Sequence, residues 1–311
     1  MPVDFIDFSC KHDILIKNKD GSYLPMDEPY FESELIAPDT WRVLSSGDYC
    51  YLVKGDGVAF AVDCGYGAGN IRKYMESVAG VPVPCVVNTH DHFDHTASNA
   101  YFDKAYMSKV SLTYATVPFA SFKGIDFHPD EYERVCVKEG DIIPLTGREL
   151  EVIGISDHAP SSLIYLDRTG RVLFTGDEFF GFPMKGLNFG LKSWCEGMQK
   201  IKNVWDDFDI ACGGNGVMTK EHIKGFIDVA EYAYANPDAG EGPNQGGERR
   251  GGGPRPLPDY EGHMVYDRML PHAGDRGAYD PSIEIKARPE NMRTVVLNGF
   301  RLMYDVTLRD E

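Results

Sequence analysis

An α+β fold is the class the sequence predicts, on three observations. Short β-rich runs separated by tight-turn residues fill the first half, helical stretches follow in the second, and strand-like runs end in polar residues able to bind a metal. With 311 residues the chain is long enough for one large domain or two modest ones, with a sizeable core.

In chain order, residues 41–45, 49–53 and 58–62 are β-rich and punctuated by Ser-Gly-Asp and Gly-Asp-Gly, which are hairpin signals. A glycine-rich turn at 63–67 leads into a helical stretch over 70–78. Residues 84–88 read as a buried strand that runs straight into a histidine cluster. Strands are expected near 149–155, 162–167 and 171–175, the last two joined by Arg168-Thr169-Gly170. Helices are expected over 193–207 and 220–235, the second carrying Ile223, Phe226, Ile227 and Ala230 on one face. Composition then shifts to Gly and Pro, so 236–260 reads as a loop or linker. Beyond it, 282–287 and 294–306 read as strands, with Asn298-Gly299 as a two-residue hairpin signal. The expected organisation is a main domain over 1–235, the Gly/Pro-rich segment 236–260, and a C-terminal extension over 261–311 whose hairpin packs back on the main domain.

Lys and Arg total 31 against 48 Asp and Glu, a formal net charge of −17. Such a surface repels phosphate backbones and anionic membranes, so neither nucleic acid nor a membrane is an expected partner. No apolar stretch approaches a membrane span, and the opening residues lack the basic and apolar regions of a signal peptide. Seven cysteines (Cys10, Cys50, Cys64, Cys85, Cys136, Cys195 and Cys212) lie scattered without a CxxC pair, which argues for reduced thiols and a cytoplasmic location. The expected partner is a small-molecule substrate, and a homo-oligomer is compatible with the sequence.

The chemistry concentrates in His90-Asp91-His92-Phe93-Asp94-His95. Imidazole and carboxylate are both good ligands for a zinc-type ion, and a strand-to-loop transition can splay His90 and His92 toward one point. A short cluster cannot enclose a metal alone, so further ligands are expected at other strand ends. His158 lies just after one strand and Asp177, in Thr175-Gly176-Asp177, follows another.

The succession Val62-Asp63-Cys64-Gly65, Thr89-His90-Asp91-His92-Phe93-Asp94-His95, His158 and Thr175-Gly176-Asp177 resembles the metallo-β-lactamase superfamily over roughly residues 40–232. The resemblance implies a four-layer αββα sandwich, here with a C-terminal extension, in which 1–235 is the catalytic domain. It implies that His90, His92 and His158 bind a first metal, Asp94 and His95 a second, with Asp177 bridging. Asp63 would orient the ligand loop by hydrogen bonds rather than bind metal. The family usually ends its ligand set with a histidine in a Gly-His-Gly-like turn. Here Cys212-Gly213-Gly214-Asn215-Gly216 stands in that place, so Asn215 offers a weaker, neutral amide oxygen. Cys212, His222, His263 and His272 are alternative donors. The implied cofactor is zinc, one or two per chain, with iron or manganese as alternatives.

What the resemblance implies for function is hydrolysis of an ester, thioester, lactone or amide of a small molecule through a metal-bound hydroxide. Asp94 would orient the nucleophile and shuttle its proton. Phe179, Phe180 and Phe182, close after Asp177, either wall an apolar pocket or serve as core packing and a turn. The stretch 238–253 reads either as a lid or as a linker, and Arg249, Arg250 and Arg255 as anion contacts or solvated charges. Two rival readings remain. A His/His/Asp set could hold one iron for oxygen chemistry, as in sulfur-dioxygenase-like members, or the chain could be a non-catalytic metal-binding protein on the same fold.

Overall fold

The computed structural model describes residues 2–8, 14–17, 20–25, 27–28, 31–45, 48–65, 67, 69–116, 131–243, 257–260, 263–267 and 285–311. The chain forms two compact units. One comprises residues 1–137, 144–149 and 251–278; the other comprises 138–143, 150–250 and 279–311.

The first unit is organised on a seven-stranded sheet: Phe31–Ala37, Thr40–Ser45, Asp48–Lys54, Ala59–Val62, Cys85–Val87, Lys104–Met107 and Glu133–Cys136, adjacent in that order. Its first four strands pair antiparallel in succession. From Ala59–Val62 onward the pairing is parallel. A parallel partner cannot be reached by a tight turn and needs a crossover, supplied here by the helix Ile71–Ala79. Asn70 caps that helix by accepting from the Lys73 N–H, and Gly80 ends it in a left-handed conformation at φ 68°. The helix buries Ile71, Met75 and Ala79, spaced four apart. The unit also holds a smaller sheet in the order Leu257–Tyr260, His263–Asp267, Ile14–Lys17, Tyr23–Pro25.

The second unit carries most of a six-stranded sheet in the order Ile142–Leu145, Arg148–Ile153, Ile164–Asp167, Val172–Gly176, Ile210–Gly213, Gly216–Thr219. Helices Leu191–Asn203 and Lys220–Ala235 pack on it through Trp194, Met198, Ile201, Ile223, Phe226, Ile227 and Ala230, against Leu166, Leu173 and Ala211. A three-stranded sheet, Met184–Gly186, Phe300–Asp305 and Met292–Leu297, completes the unit. Its hairpin turns at Asn298 (φ 50°) and Gly299 (φ 85°), both in the left-handed region that a two-residue turn of this hand requires. Gly225 lets the hairpin approach the last helix, since a Cβ there would collide with the Phe300 ring.

Several elements differ from expectation. The helix expected over 193–207 starts at Leu191, stops at Asn203 and continues as a tighter turn at Trp205–Asp207. Residues 285–287 are not a strand, and 282–284 lie outside the described residues. Of the Gly/Pro-rich segment, residues 236–243 turn back so that Glu241 bridges Thr294, and Leu257–Tyr260 is a strand. The remainder of that segment, with Arg249, Arg250 and Arg255, lies outside the described residues, as do His272 and the side chain of His263. Among the described residues no helix is long and apolar enough to cross a membrane.

Candidate metal centre

In the first unit the candidate ligands follow the carboxyl end of Cys85–Val87, and Asp63 follows that of the neighbouring parallel strand Ala59–Val62. Polar side chains gather readily at that end of a sheet because the ladder stops there. Val62 pairs with Val87, and the Asp63 N–H extends the ladder to the Val87 carbonyl at 2.8 Å. Asp63 then takes a left-handed backbone, φ 57°, and its carboxylate meets three donors. These are Thr89 N–H at 2.8 Å, Thr89 Oγ1 at 2.7 Å and His95 Nδ1 at 2.9 Å. Thr89 Oγ1 also lies 3.0 Å from His90 Nδ1.

One proton arrangement satisfies this chain: His90 Nδ1–H donates to Thr89, the Thr89 hydroxyl donates to Asp63, and His95 Nδ1–H donates to Asp63. Both imidazoles then keep the Nε2 lone pair for a metal. The His90 ring lies 4.2 Å from that of His95 and 4.5 Å from that of His92. His92 stands at the start of the short helix Phe93–Thr96, which carries Asp94 and His95, and Thr96 Oγ1 donates to its carbonyl at 3.0 Å. Asp94 Oδ2 is 3.8 Å from His95 Nε2, and all four candidate ligands are buried.

Asp63→Asn tests this arrangement. One carboxylate oxygen becomes a donor facing donors, which reverses the His95 or Thr89 hydrogen bond. Metal affinity should fall about 10–100-fold with the fold retained, as read by competition with a chromophoric chelator. Unchanged affinity would remove Asp63 from the site.

In the second unit His158 lies in the loop after Arg148–Ile153, and Asp177 follows Val172–Gly176. His158 Nε2 is 3.6 Å from Asp177 Oδ2, and both side chains are partly exposed. The loop is held by three buried charges that the sequence did not mark as a group. Lys185 Nζ lies 3.2 Å from Asp157 Oδ2 and 3.5 Å from Glu178 Oε2. Burial alone would lower the Lys185 pKa, but the carboxylates of Asp157 and Glu178 outweigh it and hold it above its ordinary value. Burial raises the Glu178 carboxyl against the opposing pull of Lys185.

Asn215 and His222, both considered as metal donors, each contact the aromatic loop. Asn215 Oδ1 accepts the Gly181 N–H at 3.0 Å, and His222 Nε2 lies 2.8 Å from the Phe180 carbonyl oxygen. The Phe180 and Phe182 rings stack at 5.1 Å with 6° between planes, and Phe180 stands edge-on to His158 at 6.3 Å. Phe179 points elsewhere: it is fully buried in the core, against Trp194 and Phe226. Of the three phenylalanines, Phe180 and Phe182 are the two that lie outside the core. Cys212 is buried in the strand Ile210–Gly213. A second unanticipated device lies in the first unit, where the amides of Asn88 and Asn99 bond reciprocally at 2.8 and 3.1 Å and Cys64 Sγ donates to Asn99 Oδ1. Eleven residues apart and unlinked by any periodicity, they leave no sequence signal.

Buried imidazoles with one nitrogen tied to an acceptor, and carboxylates beside imidazoles, are the donor chemistry a zinc-type divalent ion takes. Among the described residues, the groups able to hold a metal ion are drawn from His90, His92, His95, His158 and Asp177.

The comparisons with known proteins agree. A family model for the metallo-beta-lactamase superfamily matches residues 47–210, more than half the chain. Acyl-coenzyme A thioesterase MBLAC2 of Gallus gallus is 26% identical over 162 residues, 43% of this chain and 58% of the relative. The chain thus spans less than two thirds of that thioesterase. The 2,4-dinitroanisole O-demethylase subunit alpha of Nocardioides sp. (strain JS1661) is 23% identical over 244 residues, 68% of this chain and 73% of the relative. Among solved structures, a metallo-beta-lactamase from Pontibacter korlensis superposes with a TM-score of 0.52 at 16% identity, covering 65% of this chain and 99% of its own. At that identity the likeness shows the fold, an α+β sandwich to which this chain adds C-terminal strands.

Proposed function

This chain belongs to the metallo-β-lactamase superfamily, and from that premise we propose that it is a metallohydrolase that cleaves a thioester or ester of an apolar acyl group. The observation that carries the reading is the neighbourhood of His158, whose ring shares its surroundings with Asp177 and with the stacked Phe180–Phe182 pair. A ligand for a Lewis acid beside an aromatic surface suits a substrate with a polar carbonyl and an apolar tail. The thioesterase relative supports the same bond class.

The proposed ligand set is His90, His92, His95, Asp94, His158 and Asp177, with zinc as the proposed metal. A divalent ion held by these groups supplies acidity to water and polarises a carbonyl. The chain's own residues do the rest. Asp63 and Thr89 fix the histidine tautomers, leaving the Nε2 atoms as donors. Asp94, beside His95, takes up a proton at its carboxylate and returns it to the leaving group. Phe180 and Phe182 hold the acyl portion and shed water from it.

The test begins with the chain purified without added metal. Its metals are counted by elemental mass spectrometry, and turnover is measured on acyl-coenzyme A thioesters, aryl esters and an aryl methyl ether. Thioester or ester turnover that a chelator abolishes and zinc restores is the expected result. Full turnover by the metal-free chain would sink the reading. One iron per chain with oxygen consumption would replace it with the oxygenase.

A further inference from the structure

We propose that Lys185, through its ion pairs to Asp157 and Glu178, is the positioning residue for His158 and Asp177 together. The inference rests on those two residues being metal ligands.

Lys185, Asp157 and Glu178 all have side chains no more than 2% exposed. Three buried charges are costly to a fold unless each is paired and hydrogen-bonded, so such a group calls for an explanation beyond packing. Its hydrogen bonds converge on the backbone of Asp157 and His158. Glu178 Oε1 accepts from the N–H of Asp157 at 2.9 Å and of His158 at 2.9 Å, and Oε2 accepts from His158 N–H at 3.1 Å. On the other side, Asn188 Nδ2 donates to the carbonyls of Asp157 and His158, both at 3.1 Å. Asn188 is itself held by Asp157 Oδ1, which accepts the N–H groups of Asn188 at 3.0 Å and Phe189 at 3.2 Å. The backbone of His158 is therefore gripped at both its N–H and its carbonyl.

The grip extends to Asp177 through the chain itself. Glu178 is the next residue after Asp177, so the carboxylate that holds the His158 backbone is covalently tied to the second ligand. With Glu178 fixed, the approach of His158 Nε2 to Asp177 Oδ2, 3.6 Å, is set before any ion arrives. Lys185 locks Glu178 and Asp157 in place. Its ammonium lies 4.7 Å from the centre of the Trp194 ring and 5.8 Å from that of Phe180, which leaves little room for it to swing away. A single cation thus braces two ligands and abuts the aromatic wall.

Two variants of the full chain separate positioning from mere support of the fold. Glu178→Asp keeps the charge opposite Lys185 but draws the carboxylate back by one methylene from the Asp157 and His158 N–H groups. Lys185→Met keeps the bulk and removes the cation. The metal-free proteins are first shown to be folded by circular dichroism and thermal melting. Zinc is then titrated against a chromophoric chelator, and the visible spectrum of the cobalt(II)-loaded chain is recorded. The expected result is zinc binding weaker by about 10–100-fold and an altered cobalt(II) spectrum in Glu178→Asp, with the metal-free melting midpoint near that of the parent. Lys185→Met should weaken zinc binding as much and also melt lower. Should it fail to fold, Glu178→Asp decides alone.

A folded Glu178→Asp with parental zinc affinity and cobalt(II) spectrum overturns the inference, as does a lowered melting midpoint without change in either. If the parent binds zinc and the variants bind it equally, only this inference falls. A parent that takes up no divalent metal overturns the metallohydrolase reading, and the inference with it.

Discussion

Replacing His158 with Ala should lower metal affinity and catalytic efficiency by more than about 100-fold, beyond the range expected for losing a hydrogen-bond partner of a ligand. The change removes a donor atom outright. It should do so with little loss of stability, because the ring is partly exposed and the loop is held by backbone hydrogen bonds to Glu178 and Asn188 that Ala retains. Metal counting, kcat/KM on the best thioester or ester, and thermal melting read the three quantities separately. A variant with full metal content and full activity would remove His158 from the site. A variant that melts far below the parent would make the loop, rather than the donor atom, the thing lost.

Phe179→Ala should instead destabilise the fold by about 3–5 kcal/mol, the cost of truncating a buried phenylalanine with incomplete collapse around the cavity. Phe179 is fully buried and touches Trp194 and Phe226 with ring centroids at 5.4 and 5.6 Å, so its loss opens the interface between sheet and helices. The neighbouring Phe180→Ala removes only a partly exposed ring stacked on Phe182, worth about 0.5–1.5 kcal/mol. Its main effect should be a raised KM for substrates with long apolar acyl groups, with kcat less changed. Denaturant titration and a chain-length series of substrates distinguish the pair. A Phe180→Ala variant with parental KM across the series would leave the aromatic loop without a substrate role.

The α+β class and the superfamily fold were both legible in the sequence. They are written in local patterns. The run His90 to His95 places metal-binding groups next to one another in the chain, so no folding is needed to recognise it. The helix Lys220–Ala235 is signalled by Ile223, Phe226, Ile227 and Ala230, whose spacing alone defines a face. Asn298-Gly299 announces its hairpin because few residue pairs accept two successive left-handed conformations. Short strands such as Lys104–Met107 and Ile210–Gly213 carry little sequence signal, since four residues are too few to establish a period.

The support around the ligands is a different matter, because each of its contacts joins residues distant in sequence. Asp63 meets His95 across 32 residues, and the separation closes only because Ala59–Val62 and Cys85–Val87 pair in register. Glu178 reaches the His158 N–H across 20 residues, and Lys185 completes that group from a third segment. The Asn215 side-chain oxygen accepts the Gly181 N–H across 34 residues, a partner no local pattern would suggest. The sequence by itself determined the fold class and the family and marked the candidate donor groups, since these follow from residue type and spacing over a few positions. Only the tertiary structure decided which tautomer His90 and His95 take, what braces the ligand loop and which phenylalanine is core, because strand register and packing alone bring those groups within hydrogen-bonding distance.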